Sequence, residues 1–491
     1  MRKKNSSPKS DSLARYLLAE KTFDVIDVFE QRNNVGGIWN YSGTAQSSKI
    51  PIPQTNPRYG LEGVHANRNR HDRQRLEFET PLYDNLEANI PKFLMAYSDK
   101  PFPADAPLFP KHGMVLKYLE EYAEEVRHLI RFQTQVLDVR LHQDDENGGS
   151  DRWEVTAMDL RSRNATTAFY DAVVVASGHY TIPHVPDIKG VGDWNEAYRG
   201  TIIHSKAYRK PDVFKDKKVL IIGNSASGVD IAAQISRFCK QPLLLSSRSE
   251  SMFAQGAPWK DVPEIAEFIF PDTLEDTVGS CSDDQYRAVR FVDGSIETHI
   301  DAVIFATGYF FSFPFLLNLD PPIITDGFRT RDVYRHIFHI EHPTLAFPVL
   351  NLKIIPFPLA ETQCAAIARV WSGRLSLPSK KEMRDWEREI IRDRGDGKSF
   401  HVLKFPLDAE TLNGLERWVS SAPRVSGLEN DGKGKMGTFW NEKAIWMRSK
   451  FPQIKRAYAE RGEKRFEVRT PEELGFDYER CQEDNNQDMN A

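Results

Sequence analysis

The feature that most constrains this chain is a run of apolar residues that leads into a glycine turn near its middle. Residues 218–233 read KVLIIGNSASGVDIAA. The apolar residues predict a buried strand, Gly223 predicts a tight turn, and a helix is expected to begin near Gly228. Such a turn directs backbone N–H groups and the positive end of the helix dipole towards a phosphate. The segment therefore predicts a βαβ unit that binds a dinucleotide.

The spacing of this turn differs at one position from the usual GxGxxG pattern. Gly223 and Gly228 match its first and third glycines, whereas Ser225 replaces the second, where the backbone approaches the phosphates. Strand, loop and helix still follow one another in the required order. The competing interpretation is a turn with a structural role only. We predict that four residues here contact the cofactor: Gly223, Ser225, Ser227 and Gly228.

The strand expected after this helix indicates which dinucleotide binds. Residues 242–248 read PLLLSSR and end in Ser246, Ser247 and Arg248. An acid at this strand end would bind the ribose 2′-hydroxyl of NAD, whereas hydroxyl groups and an arginine suit the 2′-phosphate of NADP. Glu250 is the competing acid, but it lies beyond the expected strand end. We therefore predict NADPH as the cofactor, with Ser247 and Arg248 at its 2′-phosphate.

An apolar strand followed by a turn of small residues occurs on each side of this unit. The first is YDAVVVASGHY at 170–180 and the second is DAVIFATGYF at 301–310. Strands that alternate with helices predict parallel, doubly wound sheets. The fold class is therefore α/β, with two nested dinucleotide-binding, Rossmann-like domains. The predicted bounds are 1–185 for the first part of the outer domain, 186–300 for the inserted domain, 301–475 for the second part with a helical cover, and 476–491 for a disordered tail.

Other local patterns predict individual elements of the outer domain. Leucines on one side of SLARYLLAEK predict a helix over 12–21, and FDVIDVF predicts a strand over 23–29 that ends in Glu30. Residues 41–80 are polar and rich in proline, which predicts a long surface excursion. An amphipathic helix is expected over 114–130.

Composition excludes several classes of protein. The chain has 65 Lys and Arg against 70 Asp and Glu, a net charge of -5, which argues against a nucleic-acid-binding protein. Its four cysteines show no CxxC pair or zinc-ligand spacing, and a reducing, cytoplasmic environment is expected. No stretch approaches the ~20 apolar residues of a membrane span. The histidines of RHIFHIEHP, His336, His339 and His342, are expected to pack in the protein interior, and no metal site is predicted.

Several motifs around these elements resemble those of the flavin-containing monooxygenases, most nearly the fungal members. The most specific is YRGTIIHSKAY at 198–208, which is similar to the family's FxGxxxHxxxF/Y run at Gly200, His204 and Tyr208. The others are VGGIWNY, LEANIPKFLMAYSDKPFP, FATGY at 305–309 and PFPLAETQ at 356–363. The resemblance implies FAD and NADPH as cofactors, with the NADPH domain inserted into the FAD domain.

The same resemblance implies roles for individual residues. Asn89 is expected to donate a hydrogen bond to the activated oxygen, although a turn-capping role is the alternative. Trp39 is expected either beside the flavin or in the core, and His204 either contacts cofactor or acts as a hydrogen-bonded hinge. Glu30 lies at a strand end, where an acid can bind the FAD ribose. Further contacts to cofactor are expected from Gly37, Thr307 and Gly308.

One departure from the family lies at the start of the chain. No glycine precedes Gly36, and MRKKNSSPKSDS occupies the place where a strand and a GxGxxG loop for the FAD pyrophosphate are expected. This segment is too polar for a central parallel strand, so the strand and its loop are predicted to be absent. Either the chain reflects a wrong gene model or a truncated splice form, or the protein is real and has lost tight FAD binding. The other FAD-side motifs favour the first account.

The resemblance also indicates a reaction and a substrate class. NADPH reduces FAD, and the reduced flavin activates O2 for attack by a soft nucleophile, an amine or a sulfur compound. Related enzymes that act on ketones end the YRGTIIHSKAY-type run in Trp followed by Pro or Asp, whereas here it ends in Tyr208 and Arg209. We therefore predict S- or N-oxygenation of a small molecule, either a thiol or an intermediate of secondary metabolism. The alternative is an inactive homologue that binds NADPH without catalysing oxygenation. The sequence leaves the oligomeric state open.

Overall fold

The structure is a computed structural model that describes residues 3–4, 8–43, 50–59, 78–144, 150–248, 258–269 and 287–489. The chain forms two compact units and passes between them repeatedly. The first unit comprises Met1–Asn40, Glu87–His179 and Phe313–Ala491, and the second comprises Tyr41–Leu86 and Tyr180–Ser312.

Helices and strands of the described residues are numbered here in chain order. The helices are α1 Pro8–Ala19, α2 Lys92–Met95, α3 His112–Ala123, α4 Val191–Ala197, α5 Ala226–Ile235, α6 Pro356–Trp371, α7 Lys380–Arg394, α8 Leu407–Ser420, α9 Glu442–Glu460 and α10 Tyr478–Met489. The strands are β1 Lys3–Lys4, β2 Val28–Phe29, β3 Ile130–Arg131, β4 Thr134–Asp144, β5 Ser150–Asp159, β6 Ala165–Tyr170, β7 Val173–Val174, β8 Ile182–Pro183, β9 Ile202–His204, β10 Lys218–Ile222, β11 Lys240–Ser246, β12 Lys260–Val262, β13 Ile265–Ile269, β14 Ala288–Phe291, β15 Ile296–Glu297, β16 Ala302–Phe305, β17 Tyr309–Phe310, β18 Val333–Tyr334, β19 Phe338–His339 and β20 Leu345–Ala346.

The second unit is built on a five-stranded parallel sheet with the order β12-β11-β10-β16-β9. Its central strand β10 is an uninterrupted apolar run after Lys218, because both faces of the sheet are covered. Leu220 and Ile222 belong to one buried cluster, and Val219 and Ile221 belong to the other. Helix α5 connects β10 to β11, which pair in parallel. The central βαβ unit predicted from the sequence is therefore present.

The described residues of the first unit form three sheets, with the orders β1-β2-β3, β4-β5-β6 and β18-β19-β20-β7. Strands β1, β2 and β3 are parallel and only two residues long each. Helix α1 lies between β1 and β2 in the chain and buries Leu13, Ala14 and Leu17 in the main core of this unit. Helix α6 contributes to the same core, with Ala365 and Ala368 fully buried.

The structure corrects the prediction for the N-terminal segment. Lys3 and Lys4 form a short parallel strand beside β2, so a strand is present where none was predicted. Lys3 pairs with Val28 and Lys4 pairs with Phe29. Strand pairing uses backbone N–H and C=O groups, so it does not depend on the polarity of the side chains. Helix α1 begins at Pro8, earlier than predicted, because proline suits the first helical position.

Four further expectations differ from the structure. The tail predicted to be disordered from 476 contains α10, whose Tyr478 contacts Trp446 edge to face. The strand predicted over 23–29 is reduced to Val28–Phe29, because only these residues have strand partners on both sides. The helix predicted over 114–130 is α3 followed by a 3-10 helix, Glu124–Leu129. Residues 41–86 group with the second unit, and the predicted excursion over 41–80 carries side chains that are buried: Gln54 and Thr80.

Candidate functional site

The turn between β10 and α5 requires glycine at two positions. Gly223 has a φ of 107°, and a Cβ there would lie 2.6 Å from the carbonyl oxygen of Ala306. A Cβ on Gly228 would lie 1.8 Å from the carbonyl oxygen of Gly223. The first glycine therefore permits a left-handed turn, and the second lets the helix pack directly on the turn.

The first turn of α5 is open on its outer side. Ser225 precedes the helix in an extended conformation, and its side chain does not cap the helix. Ser225, Ala226 and Ser227 are all exposed. Because the first N–H groups of a helix have no intrahelical acceptor, this end can bind an anion. Ser225, which replaces the second glycine of the pattern, is therefore exposed at this end of the helix.

The end of β11 places the residues expected at an adenosine 2′-phosphate. Ser246 is buried, and its hydroxyl donates to the carbonyl oxygen of Pro263 at 2.8 Å. Ser247 is half-buried, and Arg248 is exposed with its guanidinium 2.7 Å from the carboxylate of Glu264. The competing acid Glu250 lies outside the described residues. An exposed cation and an open helix end in the same unit fit NADPH.

His204 links β9 to the turn after β16. Its Nε2 lies 3.1 Å from the carbonyl oxygen of Gly308, and its Nδ1 accepts the backbone N–H of Lys206 at 3.1 Å. This pattern makes His204 the neutral Nε2–H tautomer. Burial lowers its pKa to about 3, which is consistent with a neutral ring. Both ring nitrogens are thus bonded to backbone, which favours a structural link over contact with a cofactor.

Thr307 occupies the same turn and is likewise engaged by the protein. Its hydroxyl donates a hydrogen bond to the carbonyl oxygen of His184. Gly308 follows with a φ of 86°. A cofactor that contacts the Thr307 side chain would therefore share the hydroxyl oxygen, which already bonds His184. The residues of the turn are half-buried, so a cofactor can reach their backbone.

In the first unit, two of the expected FAD-side positions are suited to that cofactor. Glu30 directly follows β2 and is buried, and its carboxylate accepts the backbone N–H of Arg32 at 2.7 Å. Gly37 and Trp39 belong to a 3-10 helix, and the Trp39 ring packs partly buried against an aromatic cluster that includes Tyr118. An acid at a strand end and a tight glycine turn suit the ribose of a dinucleotide.

Asn89 lies in a bend before α2 and is exposed. The lysine of the same motif has a different environment. Lys92 is buried, and its ammonium group donates to the carbonyl oxygens of Ala104 at 2.9 Å and Ala106 at 2.6 Å. Lys92 therefore holds the following loop in place, and Asn89 is the member of the motif whose side chain a ligand can reach.

The start of α1 does not fit a pyrophosphate. Ser10, Asp11 and Ser12 are buried, and Asp11 places a carboxylate in the first turn of the helix. The ammonium group of Lys9 donates to the carbonyl oxygen of Val349 at 2.8 Å, and burial lowers the pKa of Lys9 to about 7. Anionic phosphates bind best at open N–H groups, whereas the described residues at the start of α1 are buried and include a carboxylate. The FAD-side residues therefore fit the cofactor at Glu30 and Gly37 but not at the described start of α1.

Sequence reasoning missed a set of polar contacts made by α5 and by the end of β11. Those of α5 come from Asp230 and Gln234, which lie four residues apart and so share one helix face. That spacing was visible in the sequence, but their partners were not. Glu264, the partner of Arg248, is sixteen residues away in the chain.

In the described parts of the chain, no helix is both long and apolar enough to cross a bilayer. Within those same residues, no group of three or more His, Cys, Asp or Glu side chains is arranged to bind a metal ion.

Comparison with known proteins identifies relatives across most of the chain. The flavin-containing monooxygenase iboF of Amanita muscaria is 28% identical over 478 residues, covering 84% of this chain and 87% of the relative. The flavin-containing monooxygenase FMO GS-OX-like 7 of Arabidopsis thaliana is 33% identical over 413 residues, covering 81% and 80%. The solved structure of S-allyl-L-cysteine S-oxygenase from Allium sativum superimposes with a TM-score of 0.71 at 26% identity, covering 96% of each chain.

These similarities confirm the predicted α/β dinucleotide-binding fold class. The sequence profile of the Flavin-binding monooxygenase-like (FMO-like) family matches residues 69–263 and 278–423, which is more than half of the chain. The chain belongs to the flavin-binding monooxygenase family, a family of oxidoreductases that uses FAD and NADPH.

Proposed function

We propose that this protein catalyses the NADPH-dependent oxygenation of a sulfur or nitrogen atom in a small molecule. In such a reaction one atom of O2 is transferred to the substrate and the other leaves as water. We propose further that the second unit binds NADPH, that the first unit binds FAD, and that the enzyme acts in the cytoplasm.

The observation that carries this proposal is the β10–α5 turn together with Arg248. Because Gly223 and Gly228 have no side chains, the turn packs closely on Ala306 and the helix packs closely on the turn. The exposed first turn of α5 provides N–H donors for a pyrophosphate. Arg248 adds a cation beyond the end of β11, where the 2′-phosphate distinguishes NADPH from NADH.

Two observations support the substrate class. The family run ends in Tyr208 and Arg209, which is the pattern of the enzymes that oxygenate nitrogen and sulfur. A solved relative covering 96% of this chain is an S-oxygenase of S-allyl-L-cysteine, at 26% identity. When bound, FAD supplies the redox chemistry, accepting a hydride from NADPH and activating O2. The soft nucleophile is then the substrate itself, so the protein needs no nucleophilic side chain.

The test of NADPH preference is Arg248→Ala. Loss of a charge-assisted contact to the 2′-phosphate should weaken NADPH binding by roughly 10- to 100-fold and NADH binding very little. Arg237→Ala is the matched control, because Arg237 is also exposed but follows the opposite end of α5. Dissociation constants for both dinucleotides measure the effect. Equal weakening of both by Arg248→Ala would contradict the assignment.

We propose that Asn89 would donate a hydrogen bond at the flavin site when FAD is bound, where FAD would supply the chemistry that activates O2. With FAD bound, Asn89→Ala should still oxidise NADPH but release hydrogen peroxide in place of oxygenated product. The measurement is the ratio of peroxide to product per NADPH consumed. An unchanged ratio would instead assign Asn89 to the local turn before Pro91.

The substrate class is tested by offering the enzyme cysteamine, a tertiary amine and a cyclic ketone, with FAD present. Mass spectrometry should detect oxygenated products of the first two compounds and no lactone from the ketone. Lactone formation without any sulfur or nitrogen oxide would overturn the proposed substrate class.

The start of α1 favours a second candidate function. Because Asp11 is buried in the first turn of that helix, the protein could bind NADPH without retaining FAD. Such a protein would bind NADP+ and would not oxidise NADPH even when FAD is added. Titration of the purified protein with FAD, followed by flavin fluorescence, distinguishes the two candidates.

A further inference from the structure

Four side chains of the second unit form a closed polar network against α5. The hydroxyl of Tyr83 donates to the carboxylate of Asp230, which also accepts the amide N–H of Gln234 at 3.0 Å. The amide oxygen of Gln234 accepts the hydroxyl of Tyr208 at 3.1 Å. The rings of Tyr83 and Tyr208 meet edge to face with centroids 5.1 Å apart, which closes the network.

The hydrogen bonds in this network constrain α5 more than packing alone would. Tyr83 and Tyr208 are buried, so each hydroxyl needs a partner within the protein. Asp230 and Gln234 provide these partners at successive turns of the same helix face. Because Tyr83 bonds Asp230 and Tyr208 bonds Gln234, a shift of α5 along its axis would break one hydrogen bond at each of these two turns.

The backbone that carries the two tyrosines is itself held firmly. The guanidinium of Arg209 donates to the carboxylate of Glu79 at 3.1 Å and to the carbonyl oxygen of Thr80 at 3.2 Å, and Arg209 is buried. The backbone N–H of Asp84 donates to the carbonyl oxygen of Arg209 at 3.1 Å. The segments on either side of Tyr83 are therefore joined to the residue that follows Tyr208.

We propose that Tyr83, Asp230, Gln234 and Tyr208 are positioning residues that hold the N-terminus of α5 in place for the pyrophosphate of NADPH. The network lies on the body of the helix and touches neither Gly223 nor the exposed first turn. It acts through α5, because a helix held at two turns presents its N–H groups at a fixed position. This inference rests on the proposal that the β10–α5 turn binds NADPH. It gives a physical role to Tyr208, the last residue of the family run.

The test compares Tyr83→Phe, Tyr208→Phe and the double variant, using the full chain. Each single variant should weaken NADP+ binding by roughly 5- to 10-fold, the effect of one lost hydrogen bond. The double variant should be little weaker than either single variant, since one break already opens the network. Gln234→Leu, which leaves both tyrosines intact, should weaken NADP+ similarly. Hydrogen exchange should speed up in α5 and remain unchanged in β16.

Tyr16→Phe is the matched control. Tyr16 is equally buried, and its hydroxyl donates to the carbonyl oxygen of Met436 at 2.6 Å, but it lies in the first unit. It should lower the Tm without changing the dissociation constant of NADP+. The inference is wrong if wild-type protein binds NADP+ and Tyr83→Phe and Tyr208→Phe bind it within about twofold of wild type, or if Tyr16→Phe weakens it equally. Failure of the wild-type protein itself to bind NADP+ would overturn the proposed function, and this inference with it.

Discussion

The helices α1 and α5 each follow a strand in the chain, but their first residues differ in exposure. In the β10–α5 turn the first helical residues are exposed, and two glycines allow the backbone to pack closely. In the first turns of α1, by contrast, Ser10, Asp11 and Ser12 are buried, and the chain has no glycine before Gly36. Both helices connect parallel strands. The same βαβ topology therefore leaves one helix start exposed and buries the other.

The difference follows from what each helix start contacts. The first turn of α5 faces solvent, so its N–H groups can bind an anion. The carboxylate of Asp11 lies in the first turn of α1 and offsets the positive end of that helix dipole. A phosphate would therefore meet a less positive potential there than at α5. Both helices combine buried apolar residues with hydrogen bonds: Tyr16 of α1 donates to Met436, and α5 forms the polar network with Tyr83 and Tyr208.

We expect the largest effect on stability and NADP+ binding at Gly228, a glycine that has no counterpart at the start of α1. Gly228→Ala should destabilise the second unit by about 3 kcal/mol or more and abolish NADP+ binding, because the new Cβ would overlap the carbonyl oxygen of Gly223. Thermal unfolding and NADP+ titration measure both effects. Gly113→Ala in α3 is the control, since no atom lies within 4 Å of its added Cβ. Normal NADP+ binding by Gly228→Ala would show that the close approach is not required.

The surroundings of α1 should respond to pH. Glu361 of α6 is fully buried and accepts the backbone N–H of Ser98 at 2.8 Å, and burial raises its pKa from 4.5 to about 7. The folded protein therefore keeps a proton between these pH values that the unfolded chain has lost. Its stabilising contribution is greatest below pH 4.5, decreases as the pH rises to about 7, and is constant above that.

Glu361→Gln removes this titration while keeping the shape of the side chain. Relative to the variant, the wild-type protein should lose about 3 kcal/mol of stability as the pH rises from about 4.5 to 7. The Tm of both proteins, measured at several pH values, tests this. The exposed Glu460→Gln serves as the control. Parallel Tm curves for wild type and Glu361→Gln would contradict the expectation.

Glycines introduced at the start of α1 should let it bind a pyrophosphate, as we propose for the start of α5. The triple variant Asn5→Gly, Ser7→Gly and Ser10→Gly creates the GxGxxG spacing directly before and within the start of α1. We expect the FAD content of the purified protein to rise roughly tenfold, because a glycine turn lets backbone N–H groups approach the pyrophosphate. The flavin absorbance per protein measures it. The same three positions changed to Ala provide the control, and equal FAD content in both variants would count against the role of the turn.

The smallest expected effect is at the salt bridge that competes for Arg248. Glu264→Gln should tighten NADPH binding by about two- to threefold, because exposed ion pairs contribute little. NADH binding should not change, since NADH has no 2′-phosphate to use the released guanidinium. Equal tightening of both dinucleotides would place the effect elsewhere.

The fold class and the β10–α5 turn were predictable because their determinants are local. An apolar run, Gly223 and Gly228 specify strand, turn and close packing within a few residues. The roles predicted for Asn89, Ser225 and Ser247 remain predictions, and His204 is better explained by its two backbone hydrogen bonds. The sequence also contained Asp230 and Gln234 on one face of α5, but nothing in it indicated what they contact.

The sequence by itself determined where the glycine turn of the βαβ unit lies and which family the chain resembles, and it predicted NADPH as the dinucleotide at that turn. Only the tertiary structure decided that Lys3 and Lys4 pair with β2, that Tyr83 reaches Asp230, and that Glu264 contacts Arg248. Strand pairing of polar residues depends on backbone groups that every sequence carries. Tyr83 and Asp230 are 147 residues apart, so the packing of the whole unit brings them together. Local patterns encode local geometry, whereas contacts over such distances follow from how the elements pack.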